Sequence, residues 1–320
     1  MTSSPLHTVP RERLLALVDA YAFKAYRHYR TCTRKQQAAV LAAEIDEALA
    51  AEPFGQWVTR DGEEAAVVAR PLPWDSQFFG VPMGRLDVML ASPEATAEHL
   101  EAALAATMAA ARAAGVRHLA ARVDVADLRT MGVLEGAGFR TMDALVTYIM
   151  RPGKDPHPEV RPVGTIRDAT PEDTAAIVAI TAEAYRGYRG RFHLDPHLSS
   201  ERADALYLEW ARGCAERRLA DTVIVAEDSG GAISGYLAYR RREPVSRLAM
   251  PLFGGGLGAV RRDSPGAYTG LIQEGSQRAH AAGAVSECQT QNYNFAVIRI
   301  YEVAGFHYVR AEYTLHAWLG

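Results

Sequence analysis

The sequence predicts an α/β (α+β) fold built twice, each half a mixed sheet flanked by helices, behind an N-terminal helical extension. Three observations predict it. Segments of strand period and helix period alternate, with hairpins early and a crossover helix late in the run. Residues Asp127 to Met150 and Asn294 to Ala317 align without a gap, which points to a duplicated domain. Between them, Pro152, Pro156, Pro158 and Pro162 interrupt a stretch with no apolar period, and a boundary is placed there. The expected organisation is a helical extension over 1–51, a first domain over 52–151, a linker over 152–163 and a second domain over 164–320.

Composition narrows the class. Apolar residues make up 48% of the chain and charged residues 23%, an ordinary globular balance, and 320 residues suit two cores better than one. A formal net charge of -3 gives no general attraction to nucleic acid or to an anionic membrane. Cys32, Cys214 and Cys288 lie far apart and in no metal-ligand spacing. That argues against a disulfide framework or a structural metal, and for a reducing cytoplasm. Arg11, Glu12 and Arg13 precede any apolar run, so no secretory leader is expected. The most apolar stretch, Ala102 to Gly115, is broken by Arg112 and too short to span a bilayer.

The elements follow in order. Leu14, Leu15, Val18, Tyr21, Ala22 and Ala25 recur at helical spacing, and a second helical run spans Lys35 to Leu49. Lys24, Arg27, His28, Arg30, Arg34 and Lys35 form a basic stripe, taken as a solvated helix face in preference to a phosphate-binding edge. Trp57 to Thr59 and Ala65 to Ala69 flank Asp61-Gly62 as strand, turn and strand. Trp74 to Phe79 is expected as a packed turn between the domains. A strand around Arg85 to Leu90, a helix from Thr96 to Ala114 and a strand from Val116 to Val123 come next. Past the prolines the order recurs. A strand at Thr165 leads to a helix with Thr170 as N-cap and Pro171 at its first position. A helix over Ser200 to Ala215 and strands over Thr222 to Ala226, Ile233 to Arg240 and up to Val260 follow. A helix from Gly266 to Ala282, a strand over Ala284 to Gln289, a helix over Asn294 to Ala304 and a last strand to Trp318 complete the chain.

The repeat shows where chemistry resides. Glu135-Gly136-Ala137-Gly138-Phe139 matches Glu302-Val303-Ala304-Gly305-Phe306. Each copy is an amphipathic helix stopped by a glycine that supplies the left-handed cap. The copies differ at Leu134 against Tyr301 and at Asp127 against Asn294. The first copy enters its long helix through Ser92-Pro93-Glu94-Ala95-Thr96, with a carboxylate at the positive end of the dipole. The second enters through Arg261-Arg262-Asp263-Ser264-Pro265-Gly266-Ala267-Tyr268. With Ser264 as N-cap, the amides of Gly266, Ala267 and Tyr268 would point at a bound anion, and Arg261 and Arg262 would add charge. A capped helix with nothing bound is the plainer alternative for this turn. The first copy is expected to be non-catalytic, and the second to carry the site.

From Val260 through Phe306 the chain resembles the GNAT superfamily of acyl-CoA-dependent N-acyltransferases. That family pairs a (Gln/Arg)-x-x-Gly-x-(Gly/Ala) turn with Asn-x-x-Ala-x-x-x-Tyr-Glu-x-x-Gly-Phe. Asn294, Tyr301, Glu302, Gly305 and Phe306 keep the second pattern, with Val297 for the alanine, while Tyr268 and Asp263 depart from the first. Within the superfamily the chain is similar to the TDP-fucosamine acetyltransferase group over most of residues 70–320. That likeness rests on Trp74 to Val81, Arg191-Phe192-His193 with Asp195, Leu206 to Trp210, Gly235-Tyr236 and Thr290-Gln291.

The resemblance implies tandem GNAT folds with a degenerate first copy. It also implies acetyl-CoA or another acyl-CoA as co-substrate, a small amine acceptor and no metal. Tyr301 is the expected proton donor to the departing thiolate, although a core tyrosine would suit the same position. Asn294 is expected to cap its helix, and by resemblance to contact the pantetheine arm. The strand ending at Val260 would pair with that arm and polarise the thioester carbonyl. Arg261, Arg262, Gly266, Ala267 and Tyr268 would meet the pyrophosphate. Glu287 is a candidate base, with a solvated strand glutamate as the alternative. His193, Asp195, Tyr207 and Trp210 are candidate acceptor-binding residues; an exposed loop histidine and plain core packing are the alternatives for them. The amine of a nucleotide-linked amino sugar is the leading acceptor. A longer acyl donor with a peptide amine, an enzyme of the mycothiol synthase kind, or a non-catalytic acyl-CoA-binding module remain open. Edge strands of such a sheet are where a second copy would pair to give a homodimer.

Overall fold

A computed structural model describes residues 1–29, 32–158, 164–242 and 251–320. It divides into two compact units, one of residues 1–144 with 311–320 and one of residues 145–310. The first contains β1 (Thr2–Pro5), α1 (Arg11–Ala20), α2 (Arg34–Leu49), β2 (Gln56–Arg60), β3 (Glu63–Pro71) and α3 (Pro73–Phe79). It continues with β4 (Met83–Ala91), α4 (Ala97–Ala113), β5 (His118–Asp124), α5 (Leu128–Gly136) and the start of β6 (Arg140–Met150). The second contains the rest of β6, then β7 (Thr165–Asp168), α6 (Thr174–Ala184), α7 (Arg191–Leu194), α8 (Ser200–Ala215), β8 (Thr222–Glu227) and β9 (Ile233–Arg241). β10 (Leu252–Val260), α9 (Ala267–Ala281), β11 (Val285–Gln291), α10 (Phe295–Val303) and the start of β12 (His307–Trp318) follow.

Apart from the short α3 and α7, both units run strand, two helices, three strands, helix, strand, helix. Residues 1–51, expected as a separate helical extension, therefore supply the first unit's opening strand and first two helices. β1 pairs antiparallel with β2, and Leu14, Leu17, Val18, Leu41 and Ile45 pack on Trp57, Val68 and Leu90. Burial against one sheet face stabilises both helices, and α1, with 10 residues, is too short to be stable alone. The opposite face is covered by Leu100, Ala103, Leu104 and Met108 of α4.

The sheet order in the first unit is β1-β2-β3-β4-β5-β12, and in the second β7-β8-β9-β10-β11-β6. In each unit the inner pair, β4 with β5 and β10 with β11, is parallel. The sixth strand is exchanged between the copies. Glu312 to Trp318 pair with Asp124 to His118, while Leu145 to Met150 pair with Gln291 to Ser286. The compact units thus differ from the contiguous spans 52–151 and 164–320, because repeat-equivalent strands present the same apolar alternation and can complete either sheet. Part of the proline segment, 159–163, lies outside the described residues.

Two local expectations change. α1 stops at Ala20, and Tyr21 is extended, so Lys24, Arg27 and His28 are not on a helix face, while Arg34 and Lys35 open α2. Lys24 is buried, its ammonium donating to the Asp19 carbonyl at 2.9 Å, and Arg27 pairs with Asp124 at 2.9 Å. Arg30 lies outside the described residues. Trp74 to Phe79 is a helix, not a packed turn: Pro73 opens it, Gly80 ends it at φ 69°, and Trp74 is 44% exposed. No described helix is long and apolar enough to cross a membrane.

Candidate active site

Glycines shape the centre of the second unit. Parallel pairing of β10 with β11 ends at Gly254 opposite Glu287, and a bulge between Gly255 and Gly258 turns β10 toward β9. β11 continues beside β6 as far as Gln291. The two strands therefore splay, each with one edge that no longer meets the other. A Cβ at Gly258 would stand 3.0 Å from Leu237 Cδ1 and from Tyr268 Cε2, so only glycine lets that ring lie against the strand.

Tyr301 of α10 reaches this splay. It is 3% exposed, and its hydroxyl donates to the Gln289 carbonyl at 3.3 Å. Its ring packs on Tyr148 and Phe306 at 5.6 and 5.9 Å. Burial, then the neighbouring Tyr268 and Cys288, push its phenol well above the ordinary value of 10.0. Burial likewise pushes up the Cys288 thiol and the Tyr268 phenol, and Tyr268 is hydrogen-bonded to Tyr301. The cluster is neutral at any physiological pH: it can hold or donate protons and cannot serve as a base. Leu134, the counterpart of Tyr301 in the first copy, is fully buried and offers no hydroxyl.

The helix entry differs from expectation. Gly266, not Ser264, is the N-cap of α9, at φ 85°, with no side chain capping it. The Ala267 amide turns back to the Ser264 carbonyl at 3.3 Å, and the first i→i−4 bond runs from Gly270 to Gly266. The amides of Tyr268 and Thr269 are left as the first-turn donors. Arg261 is held by Asp228 and Asp263, both at 3.0 Å. It is Arg261, and not Arg262, that compensates Asp263, whose carboxyl is lowered first by the Arg261 hydrogen bond. Arg262 keeps a 73% exposed side chain, 3.9 Å from Glu183. Asn294 occupies the N-cap position of α10, but its side chain makes no capping bond and instead donates to Thr290 Oγ1 at 3.0 Å.

Glu287 is 2% exposed, not solvated, with Arg242 at 3.6 Å. It neighbours Cys288 on β11, so the two side chains leave opposite faces of the strand. His193 is not an exposed loop histidine either: its side chain is 9% exposed and bonds Asp204 at 2.9 Å. Tyr207 lies near-parallel to Tyr185 at 4.4 Å and to His193 at 5.8 Å, and meets Trp210 edge-on at 5.3 Å. Its ring is thus engaged in an aromatic cluster. Asp195, 2% exposed, accepts from the His197 amide at 3.0 Å.

Two residues that were not anticipated join this wall. The Tyr185 hydroxyl donates to the Gly258 carbonyl at 3.4 Å, and the Tyr188 hydroxyl bonds Gln291. Only their position in the α6–α8 connection brings them there, so nothing in local spacing marked them.

No family model matches the chain. Over 150 residues it is 27% identical to the spore coat polysaccharide biosynthesis protein SpsD of Bacillus subtilis, covering 47% of this chain and 49% of that protein. The chain thus spans about half the length of the curated relative it matches. Among solved structures, a tandem GNAT protein from the clavulanic acid biosynthesis pathway superposes with a TM-score of 0.54 at 15% identity, over 100% of this chain and 98% of that one. The chain has the tandem GNAT fold. A GCN5-related N-acetyltransferase from Sphaerobacter thermophilus gives a TM-score of 0.55 at 15% identity, covering 83% and 80% of the two chains. A fungal glucosamine N-acetyltransferase region gives 0.61 at 12% identity, over 99% of this chain and 38% of that one. In tandem GNAT terms the splayed β10–β11 pair, α9 and α10 belong to the second copy.

Proposed function

We propose that the second unit transfers an acyl group from a coenzyme A thioester to the amine of a small molecule by direct attack. The observation that carries this is the Tyr301 hydroxyl, buried beside the open strand edges where its counterpart in the first copy is an apolar Leu134.

The residues fit an acyl-CoA. The unpaired edge of β10 between Gly255 and Val260 would hydrogen-bond the pantetheine arm, with Tyr268 lying against the strand at Gly258. The uncapped start of α9 offers the amides of Tyr268 and Thr269 to phosphate, with the exposed Arg262, 3.9 Å from Glu183, as the added cation. The thioester supplies an electrophilic carbonyl and a thiolate leaving group. An edge amide of β10 polarises that carbonyl. The amine attacks and expels the thiolate, which takes its proton from Tyr301. Desolvation that raises the Cys288 thiol in this place also raises the proton affinity of a departing thiolate, which favours its protonation by a phenol. Glu287, across the strand from Cys288, receives the proton that the amine loses. An amine of ordinary basicity is already neutral at the ~1–10% level near pH 7, so this base need only be weak.

The acceptor we favour is an amino sugar, nucleotide-linked or free, with acetyl as the acyl group. The names of two relatives support it, one for spore coat polysaccharide biosynthesis and one for glucosamine N-acetylation. His193, Asp195, Tyr207 and Trp210, together with Tyr185 and Tyr188, would form the acceptor wall. Incubating the protein with acetyl-CoA and a panel of 4-amino-4,6-dideoxysugar nucleotides, hexosamines and simple amines tests the proposal. Thiol release that depends on one sugar amine is expected. Release with peptide amines only would replace the acceptor, and none with any donor or acceptor would leave a binding module.

A further inference from the structure

The first unit keeps a splay of its own. β4 pairs in parallel with β5 only from Met83 to Leu86, and a bulge follows at Asp87 of β4, opposite Val68 and Ala69 of β3. Beside it lies a cavity of about 390 Å³, in the size range of small-molecule sites. It is lined by the α1–α2 connection at Tyr21 and Phe23, the end of β4 at Met89 and Ser92, and the start of α5 at Asp127 and Arg129.

Its chemistry is not that of a coenzyme A site. α4 starts at a Thr96–His99 capping box with Glu98 in its first turn, so a carboxylate stands where a phosphate would approach the helix start. The Tyr21 hydroxyl donates to Asp127 Oδ2 at 3.3 Å on the cavity wall. Burial, then the Asp127 carboxylate, pushes that phenol up, so it stays a donor.

Two charges of opposite sign remain on the cavity wall. Asp127 is 4% exposed, and its partners among the described residues are neutral, the Tyr21 hydroxyl and the Thr130 amide at 3.2 Å. Arg129, two residues on, donates to the Ala95 carbonyl at 2.8 Å. Among the described residues neither is in an ion pair, whereas nearby Arg27 is paired with Asp124 and Arg13 with Glu64. We propose that the first unit's cleft binds a small zwitterion, an α-amino acid or a molecule with the same two groups. Its ammonium would meet Asp127, its carboxylate Arg129, and its side chain Phe23, Met89 and Leu128. This inference does not depend on turnover in the second unit.

The probes are the twenty L-amino acids at about 10 mM, with thermal unfolding of the full chain as the first readout. At least one is expected to raise the midpoint of the wild type. Asp127→Asn keeps a good N-cap residue, and Arg129→Gln can still reach the Ala95 carbonyl, so both should fold. Each is expected to weaken binding of that amino acid roughly tenfold or more, as loss of a charge-assisted hydrogen bond does. Its N-acetyl and amide derivatives, each lacking one charge, are expected to bind worse by a similar factor. The proposal is overturned if no amino acid shifts the wild type, if binding survives both substitutions, or if the single-charge derivatives bind as well. Hydrogen exchange with coenzyme A separates the two units. Protection confined to residues 260–269 and 294–301 is expected, and protection of 87–92 and 126–130 would make the first cleft a thioester site instead.

Discussion

Replacing Tyr301 by phenylalanine removes one oxygen from a fully packed site. The ring contacts with Tyr148 and Phe306 at 5.6 and 5.9 Å are kept, so no cavity larger than a hydroxyl is made. The bond lost to the Gln289 carbonyl is long, 3.3 Å, and Tyr268 loses its partner as well. Together these cost about 1–2 kcal/mol of stability, since a net hydrogen bond contributes ~0.5–1.5 kcal/mol. For a unit of this size that lowers the melting midpoint by only about 3–6 °C. The kinetic effect should be far larger. A positioned general acid contributes ~10²–10⁴ in rate, or about 2.7–5.5 kcal/mol of barrier. Thiol release at saturating acetyl-CoA is the assay, with the acyl-CoA KM measured alongside. Loss of kcat by about two orders of magnitude with KM nearly constant is expected, because the hydroxyl acts on the leaving thiolate and not on the ground state. The wild type should also show no alkaline loss from this phenol near 10.0, because burial holds it protonated above that value. A variant within about threefold of wild-type kcat would refute the assignment of Tyr301 as proton donor.

Four further outcomes follow from the geometry. Gly258→Ala places a methyl 3.0 Å from Leu237 Cδ1 and Tyr268 Cε2; it should cost about 1–3 kcal/mol in urea unfolding and raise the acyl-CoA KM. Glu287→Gln should lower kcat by roughly tenfold or more and leave coenzyme A affinity, measured by calorimetry, unchanged. Arg262→Ala removes a side chain that is 73% exposed, so stability should change by less than about 0.5 kcal/mol, while coenzyme A binding weakens and loses part of its salt dependence. Asp173 accepts two bonds from Arg167, at 2.7 and 3.0 Å, which lower its carboxyl below the ordinary 3.8. Its contribution is therefore complete above that ordinary value and is lost as pH falls through the lowered one. Asp173→Asn should melt earlier than wild type at pH 7, and the two curves should converge once pH falls below the lowered carboxyl.

Much of the fold was legible without coordinates. Hydrophobic period and end signals are local, so α8 runs over Ser200–Ala215 as read, and Gly138 and Gly305 take the left-handed caps at φ 88° and 91°. The alignment of Asp127 to Met150 with Asn294 to Ala317 also held, because a duplicated sequence repeats its caps and its apolar faces together. From it came the contrast of Leu134 with Tyr301, the most informative single substitution in the chain. What periodicity did not reveal was the first copy's own opening, since α1 and α2 carry no motif that ties them to β2, β3 and β4.

Tertiary structure decided the partners. Arg261 looked like a phosphate ligand in its own neighbourhood, yet Asp228, brought close by the β8–β9 turn, neutralises it. Tyr185, Tyr188 and Tyr21 reach their clefts from inter-helix connections whose path no local pattern specifies. The exchange of β6 and β12 is the same lesson at the scale of a strand. Alternation along a strand determines which face is apolar, while the neighbour it pairs with is chosen only when the whole sheet closes. The sequence alone determined most of the elements, their order and the tyrosine that distinguishes the copies, but not β1 or α3. Which charges, edges and rings meet in each cleft was settled by contacts distant in the chain, whose energies no short window contains.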